Sequence, residues 1–484
     1  MLDRKKFDLE MDQVKKEEIK EISKYLERYI EKNANIRDEK LNGLGHGEDA
    51  KYVEGIEIPR VGRDFREVAD EAVEHIFKNQ ALLQHPRYLS LVCTSISPYS
   101  LMGSILADIY NINVAGYSFA PAANVIEEKI IAYMAERVGY DPKKATGCFT
   151  SGGSLSNLTG MIAARENKLH GNRDLPIAVA YTSDQAHTSV KKAMRMMGLR
   201  PDQIRILSTN EKFELEPAEL EEMIKKDIEN GQRPFLIAAT CGTTNTGSID
   251  PIPELAKIAK KYDMWLHVDG AYGGSIFFSD IYKNLGKGIE EADSFSWDTH
   301  KWALQGYASS AILAKDKDQW IDAFIEHPEY LADVHEAGHI DGWDKGVEMS
   351  RPFRAIKLWF TLQCLGTDKL ADVIDYSFYN ASTMIKELNK KEYWEIMAPS
   401  KCAAVNWRLA PKNVDPKYYN EITHKVSEII NEDGYSYILT TTLRGNTCCR
   451  VCLINGNTTT EDIINTIEKL NAIAEDLIKE YANK

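Results

Sequence analysis

Two short stretches of this chain hold the residue types best suited to chemistry. Ser294–Trp302 reads Ser-Phe-Ser-Trp-Asp-Thr-His-Lys-Trp, which puts Lys301 directly after His300 among small and aromatic residues. Lysine is a surface residue unless its charge is neutralised or its nitrogen is used covalently. Upstream, Trp265–Gly274 reads Trp-Leu-His-Val-Asp-Gly-Ala-Tyr-Gly-Gly, an apolar strand that ends in Asp269 and runs into a glycine-rich turn. A buried lysine and a buried aspartate at two strand ends suit pyridoxal phosphate (PLP). The lysine carries the cofactor covalently, and the carboxylate keeps its ring nitrogen protonated.

Three further segments could complete such a site. Phe149–Asn157 reads Phe-Thr-Ser-Gly-Gly-Ser-Leu-Ser-Asn and then enters a helix. It is either a plain helix cap or a phosphate cradle, in which glycines admit a ligand to the unpaired N–H groups and the positive dipole end. Thr240–Asp250 is rich in hydroxyls and glycines, as a turn or a small polar ligand site would be. His187 follows an apolar strand and is placed either to stack on a flat ring or to serve structure alone.

The elements that must position these residues alternate. Pro176–Tyr181, Phe235–Thr240, Met264–Asp269 and Ser309–Ala314 have strand length and apolar content. Helical patterns fall at Glu127–Val138, Leu155–Lys168, Ser189–Met197, Glu216–Glu229 and Pro253–Tyr262. Such alternation predicts a mostly parallel sheet covered by helices, with ligands at the strands' carboxyl ends. Ile19, Ile22, Leu26 and Ile30 predict an amphipathic N-terminal helix, solvated or packed on a partner subunit. A long helix is expected over Pro352–Leu365. Beyond it come strands near Ala403–Arg408, Tyr437–Thr442 and Cys449–Leu453, and a closing helix from Thr460.

The order glycine-serine loop, His187, Gly242-Thr243-Thr244, His267-Val268-Asp269, His300-Lys301 resembles that of the group II PLP-dependent amino-acid decarboxylases, over roughly residues 55–470. His327-Pro-Glu-Tyr330 and Arg351-Pro-Phe-Arg-Ala-Ile-Lys-Leu-Trp359 make the chain most similar to the bacterial tryptophan and aromatic-L-amino-acid decarboxylases within that family. The resemblance implies an α/β protein of PLP fold type I, with a mostly parallel seven-stranded sheet. We divide it into a helical N-terminal segment (1–95), a large PLP-binding domain (96–361) and a smaller C-terminal α/β domain (362–484).

The resemblance also implies roles. Lys301 matches the lysine that binds PLP, Asp269 the partner of the ring nitrogen, and His187 the residue stacked on the ring. Gly153, Ser154 and His300 match phosphate-side positions, and Thr244 lies near the phenolic oxygen. Tyr330 matches the tyrosine of a mobile loop that closes over the partner subunit's active site, which implies a homodimer. Tyr330 and His187 then join Lys301 as catalytic candidates, Tyr330 as proton donor to Cα, directly or through His187. Relatives with Phe at the loop position tend towards aldehydes, so Tyr330 favours simple decarboxylation. Asp298 stands where relatives carry Asn or Asp, and it would repel a phosphate unless it points away.

Substrate choice falls to residues 88–94 and 114–121, including Leu91, Val92, Tyr117 and Phe119. Both segments are apolar or aromatic and lack Arg and Lys, which suits a neutral aromatic side chain. Ser350 falls where relatives differ between indole and phenol substrates. The expected reaction converts L-tryptophan to tryptamine and carbon dioxide, with phenylalanine and tyrosine as alternatives.

Two motifs are set aside. His335-Glu336-Ala337-Gly338-His339 spells a zinc-protease motif, but Gly338 and loop-like flanks argue against the helix that motif needs. Cys449-Arg-Val-Cys452 lies in a strand-like run with no second pair. No metal is expected.

The bulk composition agrees with this reading. The 484 residues are 43% hydrophobic and 27% charged, with net charge −14. The acidic balance argues against nucleic-acid binding. No apolar run is long enough to span a membrane, the N-terminus lacks a signal-peptide core, and eight scattered Cys suit a reducing cytoplasm.

Overall fold

The computed structural model of the protein describes residues 11–41, 47–78, 80–326, 329, 338–482 and 484. Tyr330, His335 and Glu336 lie outside the described residues.

Seven strands form the main sheet: β1 (Thr146–Thr150), β2 (Ala178–Ser183), β3 (Ile204–Leu207), β4 (Arg233–Thr240), β5 (Trp265–Asp269), β6 (Ser294–Trp297) and β7 (Ser310–Ala314). Their order is β1-β7-β6-β5-β4-β2-β3. Neighbours from β6 through β3 pair in parallel, and β7 runs antiparallel to both β6 and β1. β1 therefore shares the direction of the parallel strands. All residues of β1, β2, β5, β6 and β7 are buried, as expected of a sheet covered on both faces.

The expected strands are present within a few residues, and three more complete the sheet. β1 has only five residues, including one glycine and two threonines, so its apolar signal is weak. β3 has four residues and only Leu207 buried. β6 is the opening half of the lysine-bearing stretch.

The carboxyl ends of β1, β2, β4, β5 and β6 all lie at one edge of the sheet. Helices Gly153–Lys168 and Thr188–Met196 begin there. Gly160 lets the first of these pack closely on the sheet: a Cβ at Gly160 would sit 2.7 Å from His267 Nδ1.

The C-terminal part carries a four-stranded antiparallel sheet, ordered β10-β11-β9-β8. Its strands are β8 (Trp394–Ile396), β9 (Ala404–Leu409), β10 (Leu439–Leu443) and β11 (Asn446–Cys452). Helices Thr367–Leu388, Tyr419–Asp433 and Thr460–Tyr481 accompany it. The segment around residues 88–89 attaches to its edge: Tyr88 bridges Tyr437, and Cys452 N–H donates to Leu89 O at 2.8 Å. Arg450 reaches from β11 to the loop after β4, donating to Thr244 O at 2.7 Å, and to the segment after Leu89, donating to Ser90 O.

The N-terminal helices Met11–Ala34 and Phe65–Ala72 touch through Tyr25 on Phe65, and Tyr52 of the helix Gly47–Glu54 stacks on His75, just beyond Phe65–Ala72. The segments beside these helices leave apolar side chains exposed, including Ile58 at 95% and Phe77 at 64%. Among the described residues no helix is long and apolar enough to cross a membrane.

Candidate active site

A cavity of about 320 Å³ opens at the shared carboxyl edge. Its wall includes Gly153, Ser154, His187, Thr244, Asp269, His300 and Lys301, so seven of the expected residues meet in one place.

The glycine-serine loop supplies one end. Leu155 and Ser156 N–H bond back to Gly152 O, so the first-turn donors left to the helix are those of Gly153 and Ser154. The wall is tight here: a Cβ on Gly153 would sit 2.8 Å from Ala271 Cβ and 3.0 Å from Asp298 Oδ2. Gly153→Ala should therefore weaken PLP binding about tenfold or more, since overpacking costs about 1–3 kcal/mol. Titration of the apoprotein with PLP checks this, and unchanged affinity would remove Gly153 from the cradle.

The β5 end supplies the other. Asp269 is buried, and its carboxylate accepts from Asn157 Nδ2 at 3.0 Å, Ala271 N at 3.0 Å and Ser296 Oγ at 3.2 Å. These bonds fix its orientation.

Lys301 lies between the two ends on the short helix Thr299–Trp302, with its side chain 21% exposed. Its Nζ is 3.0 Å from Asp298 Oδ2. Burial pulls the Lys301 pKa down, but the carboxylates of Asp298 and Asp269 outweigh it and hold the ammonium above its ordinary range. Asp298 is buried, and His300 Nε2 lies 3.5 Å from the same oxygen. Its carboxylate thus faces Lys301 and His300 as well as the cradle, and Oδ1 has no hydrogen-bond partner among the described residues. Burial lowers the His300 pKa, and Ser309 N–H donates to its Nδ1 at 3.2 Å.

His187 caps the helix Thr188–Met196, with Ser189 N–H donating to its Nδ1 at 3.2 Å. Opposite, Tyr307 joins the wall with its ring 4.6 Å from that of His300. Lys357 holds the Tyr307 loop by donating to Tyr307 O at 2.9 Å.

Sequence reasoning gave no role to Asn157, Ser189, His267, Ser296 or Tyr307. Asn157 and His267 sit inside the quoted motifs, but only the packing shows what they bond.

The five expected substrate residues do not line this cavity within one chain. Leu91 and Phe119 are 39% and 50% exposed. Val92 packs on the core, Ser350 is exposed, and Tyr117 stacks on His339 at 3.6 Å. Tyr117 N–H also donates to Asp341 Oδ1 at 2.7 Å. His339 is thus in an aromatic contact, and no metal-ligating cluster occurs among the described residues. Cys449 and Cys452 are free thiols on β11.

The residues fit PLP. A helix N-terminus with a glycine wall suits its phosphate, a fixed carboxylate its ring nitrogen, and a lysine its carbonyl carbon. Such a sheet and such a site define a PLP-dependent enzyme. The chain belongs to the pyridoxal-dependent decarboxylase family, whose conserved domain matches residues 52–410. It is 32% identical to an aromatic-L-amino-acid decarboxylase of Bacillus atrophaeus, over 88% of each chain. It is also 28% identical to a cysteine sulfinic acid decarboxylase of Homo sapiens, over 89% of this chain and 90% of that one. Its fold matches the crystal structure of Oryza sativa TDC with PLP and tryptamine at a TM-score of 0.89 and 22% identity, covering 94% of this chain and 97% of that one.

Proposed function

We propose that the protein decarboxylates an aromatic L-amino acid, L-tryptophan first, to the arylalkylamine and carbon dioxide. The observation that carries the reading is the convergence of Lys301, Asp269, His187 and the Gly153–Ser154 turn on one cavity. Bound PLP supplies an electron sink for the pair left on Cα as carbon dioxide departs. Lys301 would hold it covalently through Nζ and, once released, would remain beside the substrate as an amine. Asp298, 3.0 Å from Lys301 Nζ, is the nearest acceptor for the proton that the ammonium sheds to become a nucleophile. Asp269 holds the ring nitrogen protonated, because a buried anion favours the cation beside it. His187 covers the ring, and Tyr330 returns a proton to Cα, directly or through His187.

An aromatic substrate is supported by the apolar segments 88–94 and 114–121. Arg450, the cation beside Ser90, donates to two backbone carbonyls, which favours a neutral side chain over an acidic one. The exposure of Leu91 and Phe119 in a single chain, with that of Ile58 and Phe77, supports a homodimer that builds its active sites at the interface. Sedimentation should give twice the 54.7 kDa chain mass, and an active monomer would contradict it.

The purified enzyme should be offered tryptophan, phenylalanine, tyrosine, cysteine sulfinate and glutamate, with products read by mass spectrometry. Tryptamine should dominate. Phenethylamine or tyramine in its place moves the preference within the aromatic class, and a product from an acidic substrate alone overturns that class. Tyr330→Phe should retain PLP while amine formation stalls or aldehyde appears. Unchanged amine output removes Tyr330 from the mechanism.

A further inference from the structure

Asn157 is buried on the helix Gly153–Lys168 and joins the two sides of the cavity. One amide proton goes to Asp269 Oδ2 at 3.0 Å and the other to Ser189 Oγ at 3.1 Å. The carboxylate has only acceptors to offer, so the atom facing it is the nitrogen and the orientation of the amide is fixed. Asn157 Oδ1 therefore faces His267 Nε2, at 3.0 Å, and that nitrogen carries the imidazole proton. His267 Nδ1 is left to accept from Ser294 Oγ at 2.8 Å, and Trp265 Nε1–H donates to the same hydroxyl at 2.9 Å. Burial lowers the His267 pKa to about 4, which keeps this ring neutral near pH 7.

The other branch is equally constrained. Ser189 Oγ accepts from Asn157, so its own proton is free for His187 Nδ1, 2.8 Å away. That nitrogen also accepts the Ser189 backbone N–H at 3.2 Å. With Nδ1 taken up as an acceptor, Nε2 is the ring nitrogen left to carry a proton.

We propose that Asn157 is a positioning residue that orients Asp269 towards the cofactor's ring nitrogen and, through Ser189, sets His187 as the tautomer that offers Nε2–H as a donor at the cavity. His267 anchors the amide. The inference rests on the PLP site described above and deepens it: one amide sets both an acceptor and a donor in the wall of the same cavity.

The test uses the PLP-loaded enzyme. With ¹⁵N-labelled histidine, NMR should show His187 protonated on Nε2 and bare on Nδ1. A proton on Nδ1 would overturn the proposal. Asn157→Asp keeps the shape of the side chain, removes both N–H groups and sets a second carboxyl against Asp269, so the packing volume is kept while the bond that orients Asp269 is lost. We expect the visible band of the bound cofactor to move and kcat to fall by roughly a hundredfold with KM little altered. Ser189→Ala should lower kcat by less and leave that band in place, because it cuts only the His187 branch. The Asn157→Asp/Ser189→Ala double variant should be no slower than Asn157→Asp, as expected for one shared path. An unmoved band with unchanged kcat in Asn157→Asp would overturn the proposal and leave the decarboxylase reading intact. If the parent enzyme forms no amine, that reading fails, and the NMR and absorbance results still judge the network. If Asn157→Asp does not fold, the His187 tautomer and Ser189→Ala decide.

Discussion

Lys301→Ala should abolish the absorbance of lysine-bound PLP and lower amine formation by roughly a thousandfold or more, the scale seen when a covalent catalyst is removed. The substitution also strands Asp298. That carboxylate is 3% exposed and pairs with Lys301 Nζ at 3.0 Å, leaving, among the described residues, only His300 Nε2 at 3.5 Å once the lysine is gone. Leaving such a group unsatisfied costs about 1–3 kcal/mol, so cofactor-stripped Lys301→Ala should melt below the cofactor-stripped parent. Adding Asp298→Asn should recover part of that loss without restoring activity. Retained absorbance and turnover in Lys301→Ala would place the anchor elsewhere.

Asp269→Asn has the second largest expected effect. Its carboxylate is held by three hydrogen bonds, from Asn157, Ala271 and Ser296, and is aimed by them. Asparagine fills the same space, but it is neutral and turns one acceptor into a donor. It would lose the bond from Asn157 Nδ2 and the charge that favours a protonated ring nitrogen. We expect PLP to remain on Lys301 while kcat falls by about 10²–10⁴-fold, the range spanned by a lost proton-holding group. Steady-state kinetics beside the absorbance of the same samples reads both effects. A kcat within a few-fold of the parent would show that the ring nitrogen does not depend on Asp269.

Much of this site was legible in the sequence because its residues sit where strand chemistry changes abruptly. Trp265–Val268 is apolar and Asp269 is not, and the lysine stretch sets a charge among aromatic residues. Those contrasts survive in one dimension. Asn157 does not stand out, because an asparagine in the first turns of a helix is ordinary there. Its meaning lies in three partners, Ser189, His267 and Asp269, brought together from β5 and the start of the helix Thr188–Met196. Similarly, β1 and β3 were not legible because a sheet edge tolerates short strands with little apolar signal. Leu91, Val92, Tyr117 and Phe119 come from segments of apolar or aromatic type and Ser350 from the family resemblance, and none of the five lines the cavity within one chain.

The central claim is that PLP is held by Lys301 in this cavity. Borohydride reduction of the holoenzyme, digestion and mass spectrometry test it most directly, because reduction makes the lysine–cofactor bond permanent. The account predicts the added pyridoxyl phosphate mass on the peptide containing Lys301 and on no other lysine peptide. The same mass on a different lysine, or unmodified Lys301 in an enzyme that shows full cofactor absorbance, would contradict it.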